Sequence, residues 1–207
     1  MPYGFLDIAG TPAVKAAQEA NGSGAYWASF RGDRSFDRFT EAETDFISRR
    51  DSFYMATVSE TGWPYIQHRG GPPGFIKVLD DRTLGFADYR GNRQYISVGN
   101  LSADDRAALI LMDYPHRARL KIYGRVEIKD LAAFPELAAA LTVPGQKGRT
   151  ERGMLLKLEA FDWTCPQHIT PRFTETEIAE AVAPLHRRID QLEAENDALR
   201  SRVETAA

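Results

Sequence analysis

The sequence predicts a mainly β, α+β protein: an antiparallel barrel or sandwich with flanking helices, followed by a C-terminal coiled-coil helix. Several segments rich in aromatic and β-branched residues are joined mainly by short turns, whereas parallel strands would need long crossovers. Segment 174–207 instead repeats apolar residues at alternating spacings of four and three. Hydrophobic residues form 43% of the 207 residues, which is enough for a substantial core.

The overall charge and the cysteine content exclude several classes of function. A net charge of −3 gives no broad positive field, so we expect neither nucleic acid nor a membrane as a partner. Cys165 is the only cysteine, which excludes an internal disulfide and leaves too few thiolates for a structural zinc site, so no metal is expected. The sequence shows neither a membrane-length apolar run nor a signal peptide. We therefore expect a cytoplasmic protein.

The first part of the chain is expected to be an N-terminal arm, residues 1–39, followed by the main domain. Within the arm, Thr11 can cap a short helix whose first residue is a proline, a residue suited to the first turn. Thr40 and Glu43 form a capping box that starts a second helix. This helix should end near Arg50.

The rest of the main domain is predicted to consist of strands joined by turns, with two further helices. Glu60-Thr61-Gly62 supplies the turn of a β-hairpin. The predicted strands are 52–58, 63–69, 75–79, 83–88, 107–114, 119–129 and 154–163. A short helix or helical turn is predicted over 93–101, a helix over 131–141 and a polar loop over 143–152.

The C-terminal segment carries a heptad pattern typical of a parallel two-stranded coiled coil. Its a positions are Val182, Ile189, Asn196 and Val203, and its d positions are Leu185, Leu192 and Leu199. β-Branched residues at a, leucine at d and one asparagine at a favour two parallel strands. The flanking charges agree with this register, because g and e residues of two chains would attract each other. The alternative is an amphipathic helix packed on its own barrel.

Cations gather around two glycine-containing bends in the middle of the chain. Arg69 and Lys77 flank the loop 70–74, and a second polar cluster, 90–94, precedes a predicted helix. A phosphate monoester is bound by guanidinium groups, a lysine and free N–H groups at a helix start. The segment therefore predicts a phosphate site, although basic residues beside such a loop can equally form a solvated rim. Neither a Walker loop nor a dinucleotide fingerprint is present.

Three motifs make the chain similar to a known family. They are RGGPPGFIKV at 69–78, DYRGNRQ at 88–94 and WTCPQH at 163–168. With the strand pattern around them, they resemble the pyridoxamine 5′-phosphate oxidase-like, FMN-binding split-barrel family, and within it a group of flavin-nucleotide-binding proteins. The resemblance implies a split β-barrel domain over 40–173, followed by the C-terminal helix.

The resemblance also implies a cofactor, FMN, held noncovalently at the interface of a homodimer. Side chains matching the family's phosphate-binding positions are Arg69, Lys77, Asn92, Arg93 and Gln94. Backbone expected to line the ribityl chain and the isoalloxazine ring belongs to Phe75, Ile76, Lys77, Ala87 and Asp88. Arg119 would reach in from the other subunit, so the dimer would be part of the site.

The sequence departs from the family pattern at two places. Gln94 stands where the family has a lysine, which removes one charge from the phosphate site. The C-terminal arginine- and histidine-containing signature of true pyridoxamine-phosphate oxidases is not visible. We therefore do not expect this particular activity, and the sequence identifies no catalytic residue.

The end of the barrel domain supplies three further candidate cofactor-binding residues. Gln167 and His168 are candidates to tune the flavin edge, with a structural turn as the alternative. Trp163 either covers the flavin ring or closes the barrel. Cys165 and His168 lie three residues apart, but no acid or third ligand accompanies them, so we expect neither nucleophilic catalysis nor a metal site there.

The leading hypothesis is an FMN-dependent oxidoreductase that acts on a small molecule or takes electrons from NADH or NADPH. The first alternative is a non-catalytic FMN-binding or sensing protein whose coil joins it to a partner. The second alternative is haem in the same barrel, for which His68 or His168 would have to serve as the axial ligand.

Overall fold

The computed structural model describes residues 4–30, 37–144 and 148–206. The described chain divides into two compact units, one with the chain up to Asp113 and 117–167, the other with 114–116 and the chain from His168 onward. The predicted N-terminal arm includes 1–3 and 31–36, and the predicted loop 143–152 includes 145–147. Those parts of the two predictions lie outside the described residues.

The secondary structure agrees closely with the sequence pattern. The helices are α1 Phe5–Ala9, α2 Pro12–Ala20, α3 Gly24–Ser29, α4 Glu41–Ser48, α5 Ile96–Ala103, α6 Pro135–Leu141 and α7 Glu175–Ala206. The strands are β1 Ser52–Val58, β2 Pro64–Gly70, β3 Lys77–Asp80, β4 Thr83–Tyr89, β5 Arg106–Asp113, β6 Ala118–Lys129 and β7 Thr150–Trp163. All of these elements except α7 belong to the first unit.

The strands form one sheet in the order β2-β1-β5-β6-β7-β4-β3, and each neighbouring pair is antiparallel. The hydrogen-bonded order has two ends, β2 and β3, as expected of a barrel that is split. The predicted fold class, a mainly β antiparallel split barrel with flanking helices, is confirmed.

The barrel core follows from the alternation of side chains along its strands. In β5 every second residue is buried, which turns Leu109 and Leu111 inward. Phe53 of β1 and Phe86 of β4 meet edge to face there with ring centroids 5.1 Å apart, and both are 1% exposed. Aromatic pairs of this kind add packing energy beyond the area that they bury.

Both predicted helix caps are present. The Thr11 side chain accepts a hydrogen bond from the Val14 N–H at the start of α2. At the start of α4, the Glu43 carboxylate accepts from the Thr40 N–H at 2.9 Å, and Thr40 Oγ1 accepts from the Ala42 N–H. Helix α4 ends at Ser48, two residues before the predicted end, and buries Phe46 and Ile47.

The helices predicted over 93–101 and 131–141 begin later, at Ile96 and Pro135. Two strand starts differ from the prediction by two residues or more. Strand β7 begins at Thr150, four residues before the expected start, because its polar first residues pair with the end of β4. Strand β3 begins at Lys77, two residues late, since Phe75 is held in a turn by a hydrogen bond from its N–H to the Pro72 carbonyl.

Part of the N-terminal arm packs on the sheet. The ring of Phe5 in α1 stacks on Tyr123 of β6 with centroids 4.5 Å apart and planes 3° apart. The Lys121 ammonium lies 5.5 Å from the centroid of the same Phe5 ring. These contacts belong to the barrel unit, so α1 is a structural part of it.

Helix α7 forms most of the second unit and continues through Pro184. Its predicted extent, 174–207, agrees with the observed helix to within a residue at each end. Among the helices that the structure describes, none combines the length and the apolar character needed to cross a membrane.

Candidate functional site

The predicted phosphate segment forms the wall of a cleft of about 210 Å³ in the barrel unit. Strand β2, the end of β4, the turn after it and the first turn of α5 contribute to this wall, together with one residue of β7. The lining residues are Tyr65, Gln67, Arg69, Asp88, Tyr89, Gly91, Asn92, Arg93, Gln94, Tyr95, Ile96, Ser97, Val98 and Glu151. The structure thus brings together four of the five predicted phosphate-binding side chains, the exception being Lys77.

Arg69 and Asp88 form the buried part of the cleft. Arg69 Nη1 donates to Asp88 Oδ1 at 2.5 Å, and each side chain is 12% exposed. The Arg69 guanidinium also lies 5.5 Å from the centroid of the Phe86 ring. Within the described residues, Arg69 Nε is buried and has no hydrogen-bond partner. A buried donor without a partner costs about 1–3 kcal/mol, so this group is suited to an incoming anion.

A second arginine reaches the same carboxylate from β7. Arg152 Nε lies 3.7 Å from Asp88 Oδ2, and Arg152 Nη2 donates to Glu151 at 2.7 Å. Glu151 also accepts from the Tyr95 hydroxyl at 3.1 Å and lies 3.6 Å from Arg90 Nε. The ring of Tyr95 stands beside the Arg152 guanidinium, 4.9 Å from its carbon.

The balance of charge around the cleft is positive. The wall and its ion pairs include four arginines, Arg69, Arg90, Arg93 and Arg152, and two carboxylates, Asp88 and Glu151. Burial raises the pKa of the Tyr89 phenol, so this residue adds no negative charge near neutral pH. The formal excess of two positive charges would balance the two negative charges of a phosphate monoester dianion.

The turn between β4 and α5 has an unusual backbone. Arg93 and Tyr95 have φ values of 64° and 52°, in the left-handed region that non-glycine residues seldom adopt. Asn92 and Gln94 stabilise the turn, because the Gln94 N–H donates to Asn92 Oδ1 at 3.1 Å. Strain of this kind concentrates at binding sites, and alternation of backbone handedness creates concave surfaces that bind anions.

The same turn leads into a helix start that no side chain caps. Tyr95 is the N-cap of α5 and makes no side-chain cap hydrogen bond. Helix α5 is fixed by Ser97, whose hydroxyl donates to Gln67 on β2 at 3.0 Å, and by Asn100, whose amide donates to Thr57 on β1 at 3.0 Å. The partial positive charge of this helix start is therefore held beside the cleft.

Lys77 and the residues before it lie apart from the cleft wall. Lys77 opens β3 opposite Gly85 and is half-buried, and it is not among the residues that line the cleft. The side chains of Phe75 and Ile76 are buried in the core, at 3% and 2% exposure, so only their backbone remains for a ligand. Ala87 is likewise buried.

Two glycines of the loop 70–74, Gly71 and Gly74, have structural roles. A Cβ on Gly71 would lie 2.7 Å from a ring carbon of Phe75, so only glycine lets this ring pack against the loop. Gly74 has a φ of 84°, which favours glycine at the turn before β3. A Cβ on Gly74 would be 3.9 Å from the Lys77 ammonium, which places this cation over the loop.

Arg119 is half-buried at the start of β6, opposite Met112 of β5. Its Nε is the second buried nitrogen that lacks a hydrogen-bond partner within the described residues. The expected role of Arg119 across a dimer interface stays a prediction.

The three candidate residues near the end of the barrel domain, Trp163, Gln167 and His168, have different surroundings. Trp163 donates from Nε1 to Glu43 at 2.7 Å, and its ring meets Phe46 edge to face, so it ties the end of β7 to α4. Gln167 is exposed, and His168, with a φ of 63°, begins the second unit. Cys165 is exposed, and the described residues contain no metal-ligand cluster.

Glu43 is held in its ionised form. Burial opposes ionisation, but hydrogen bonds from Thr40 and Trp163 outweigh it and lower the Glu43 pKa. The carboxylate that caps α4 therefore also anchors Trp163.

Sequence reasoning missed the lining residues Tyr65, Gln67, Tyr95, Ser97 and Glu151, and also Arg152, which pairs with Asp88 and Glu151. The last two were assigned to a polar loop, whereas the pairing of Asp88 with Arg152 in β4 and β7 brings them to the site. The polar residues Thr150, Glu151 and Arg152 directly before an apolar strand were the available signal. Tyr95 reaches the cleft because it ends the turn after β4, and Ser97 reaches it because it lies in the first turn of α5.

Comparison with known proteins places this fold in a family. The profile of the pyridoxamine 5′-phosphate oxidase family matches residues 39–156, which is more than half of the chain and includes every residue that lines the cleft. A comparison with curated proteins gave no match.

Solved structures with a similar chain path include three bacterial proteins. HupZ from Group A Streptococcus is 17% identical, with a TM-score of 0.48, over 65% of this chain and 99% of that chain. A protein related to general stress protein 26 from Clostridium acetobutylicum is 18% identical, with a TM-score of 0.43, over 66% and 94%. An FMN-binding protein from Syntrophomonas wolfei is 14% identical, with a TM-score of 0.45, over 71% and 97%.

The family match covers the strands from β1 to β6, the first part of β7 and helix α5. It agrees with the antiparallel split barrel and with the resemblance that the sequence motifs indicated. The chain belongs to the pyridoxamine 5′-phosphate oxidase family.

Proposed function

We propose that the protein binds FMN and that the cleft beside α5 holds its phosphate. The observation that carries the proposal is the convergence of the buried, partnerless Arg69 Nε with Arg93 and an uncapped helix start in one cleft. Asn92 and Gln94 add amide donors to the same wall. Because a phosphate monoester needs charge-assisted and backbone hydrogen bonds together, this donor set fits it.

The size of the cleft supports a site completed by a second chain. Pockets for small molecules usually enclose about 300–1,000 Å³. The cleft of one chain, at about 210 Å³, is smaller than this and has room for only part of a flavin nucleotide. Arg119, half-buried at the start of β6, is the residue that the family resemblance assigns to such a shared site. We therefore include a homodimer with FMN at its interface in the proposal.

The proposed activity is that of an oxidoreductase acting on a small molecule or on NADH or NADPH. Bound FMN would supply the redox chemistry, namely acceptance and release of a hydride. The chain itself would bind the phosphate, orient the cofactor and exclude water. The missing signature of true pyridoxamine-phosphate oxidases argues against that particular substrate.

Flavin titrations test the phosphate assignment. We expect Arg93→Ala to bind FMN at least about tenfold more weakly, because a charged hydrogen bond contributes about 1.5–3 kcal/mol. Riboflavin lacks the phosphate, so its binding should be unchanged. The matched control, Arg49→Ala, removes the same charge from an exposed position at the end of α4 and should keep the FMN affinity. Unchanged FMN affinity in the first variant, with the fold intact, would refute the assignment.

Anaerobic mixing of the flavin-loaded protein with NADH or NADPH tests the activity. Rapid bleaching of the flavin absorbance is expected of an oxidoreductase that accepts a reduced nicotinamide. Bound flavin without bleaching, and without turnover of small-molecule donors, would instead favour a non-catalytic FMN-binding protein. A Soret band in the purified protein would replace the flavin assignment by haem.

A further inference from the structure

Helix α7 carries an apolar stripe that stays exposed in the single chain. From Leu185 to the end of the helix, the apolar side chains at a and d positions are between 46% and 69% exposed. They are Leu185, Ile189, Leu192, Leu199 and Val203. A contiguous stripe of this kind on an otherwise charged helix marks an interaction surface.

We propose that this stripe binds the α7 of a second copy of the chain, as a parallel, in-register, two-stranded coiled coil. The helix is continuous over 32 residues, from Glu175 to Ala206. The helix continues through Pro184, which lies at a c position outside the seam, and the exposed stripe begins after it at Leu185. The stripe therefore presents a geometrically unbroken face to a partner helix.

The asparagine in the seam selects the parallel orientation. In a parallel in-register coil, Asn196 at a faces Asn196 of the second copy, and the two amides can hydrogen-bond to each other. In an antiparallel coil a positions face d positions, so Asn196 would be buried against a leucine with its amide unpaired. A buried amide without partners costs about 1–3 kcal/mol, which disfavours this arrangement.

The charges beside the seam fit the same partner. Arg188 at g faces Glu193 at e of the second copy, and Glu195 at g faces Arg200 at e. Two-fold symmetry doubles each attractive pair. Among the described residues, none of these four side chains takes part in an ion pair within its own chain. Their charges therefore remain available to a second chain.

Disulfide trapping in the full-length chain tests the seam. In a Cys165→Ser background, Leu199→Cys at d should form a disulfide-linked dimer, because facing d positions of a parallel coil come within disulfide range. Ser201→Cys at f points outward and is the matched control. We expect at least about tenfold more linked dimer from Leu199→Cys than from Ser201→Cys. Equal linkage at the two sites, or none at either, would overturn the proposal.

Charge reversal tests the register. In the Leu199→Cys background, Arg188→Glu should reduce linked dimer because it faces Glu193 of the second copy, whereas Arg187→Glu at the outward f position should not. Adding Glu193→Arg to Arg188→Glu should restore the linkage, since the pair is then reversed but again opposite in charge. Equal effects of Arg187→Glu and Arg188→Glu, or failure of the rescue, would contradict the pairing. None of these readouts depends on the flavin.

Discussion

The barrel unit and helix α7 use apolar residues in opposite ways. In the barrel, Phe53, Phe86 and Leu111 are almost completely buried by the chain's own strands. In α7, Leu185 and Val203 are 63% and 69% exposed. The barrel thus completes its core within one chain, whereas α7 leaves an apolar stripe exposed. Under the proposed coiled coil, one chain combines a domain that packs its own core with a helix whose stripe a second copy buries.

The two regions also differ in how far their charged side chains are buried. Around the cleft, ion pairs between arginine and carboxylate side chains are formed within the chain and largely removed from solvent, as with Arg69 and Asp88. Along α7, Arg188 and Glu193 lie exposed on the helix surface. Buried charges fix the structure of a site, while exposed ones mainly select a partner.

Truncating a core aromatic should have the largest effect on the barrel. We expect Phe86→Ala to lower the free energy of unfolding by about 3–5 kcal/mol, since it leaves a cavity in a closely packed core. Leu192→Ala, a comparable truncation on α7, should change barrel unfolding by no more than about 0.5 kcal/mol. Denaturant unfolding followed by tryptophan fluorescence measures this, because the three tryptophans all lie in the barrel unit. Similar losses in the two variants would remove the distinction between the regions.

Breaking the buried ion pair should have the next largest effect. Asp88→Asn leaves Arg69 without a charged partner and leaves Arg152 paired with Glu151 alone, so we expect a loss of about 3 kcal/mol. Asp45→Asn breaks the pair with Arg49, which has the same 2.5 Å distance but side chains that are 58% and 62% exposed. Its loss should be about 0–1 kcal/mol. Equal losses would show that burial does not set the strength of the cleft pairs.

Inorganic phosphate offers an independent check on Asp88→Asn. Because the variant removes one negative charge beside Arg69, phosphate should raise its melting temperature more than that of the wild type. Sulfate at matched ionic strength separates the binding of anions from general salt effects. A phosphate response no larger than that of the wild type would contradict a role of Asp88 as counterion to the cleft arginines.

The Glu43 carboxylate should make a smaller, pH-dependent contribution. Its pKa is lowered in the folded protein from an ordinary value of 4.5, so its stabilising effect is present above that value and is lost as the pH falls through the folded pKa. We expect Glu43→Gln to cost about 1 kcal/mol at pH 7 and progressively less at lower pH. Urea unfolding across this pH range measures the effect, with Glu41→Gln at the exposed neighbouring position as the control. A pH-independent difference would contradict it.

Removal of α7 should affect barrel stability least. Deletion of the chain after Phe173 should leave the tryptophan-monitored unfolding of the barrel nearly unchanged, because no strand is lost. It should weaken the dimer without abolishing it, as measured by sedimentation at several protein concentrations. A purely monomeric product would mean that the barrel contributes too little interface of its own.

Local signals were sufficient for much of the fold. The Thr40 capping box, the hairpin turn after β1 and the period-two pattern of β5 each depend on residues close in sequence, so the corresponding elements were predictable. The start of β7 was not predictable in this way. Its first residues are polar, and they are strand only because β4 pairs with them.

In the candidate site, too, some features were predictable from residues close in sequence and others depend on strand pairing. The motifs predicted that Arg69 and the turn from Asn92 to Gln94 form an anion site, and the structure places these residues around one cleft. The motifs did not indicate the Asp88 ion pairs or the contribution of Arg152, which depend on which strands become neighbours. Lys77 was grouped with the cleft by its spacing but lies over the loop 70–74.

By itself, the sequence determined the antiparallel barrel, the helix caps, the polar turn from Asn92 to Gln94 and the heptad stripe, because hydrophobic period and turn chemistry act over a few residues. The tertiary structure alone decided which cations are buried and which carboxylates pair with them. The reason is that burial and ion pairing arise between strands distant in sequence, and only strand order brings Arg69, Asp88 and Arg152 to one place.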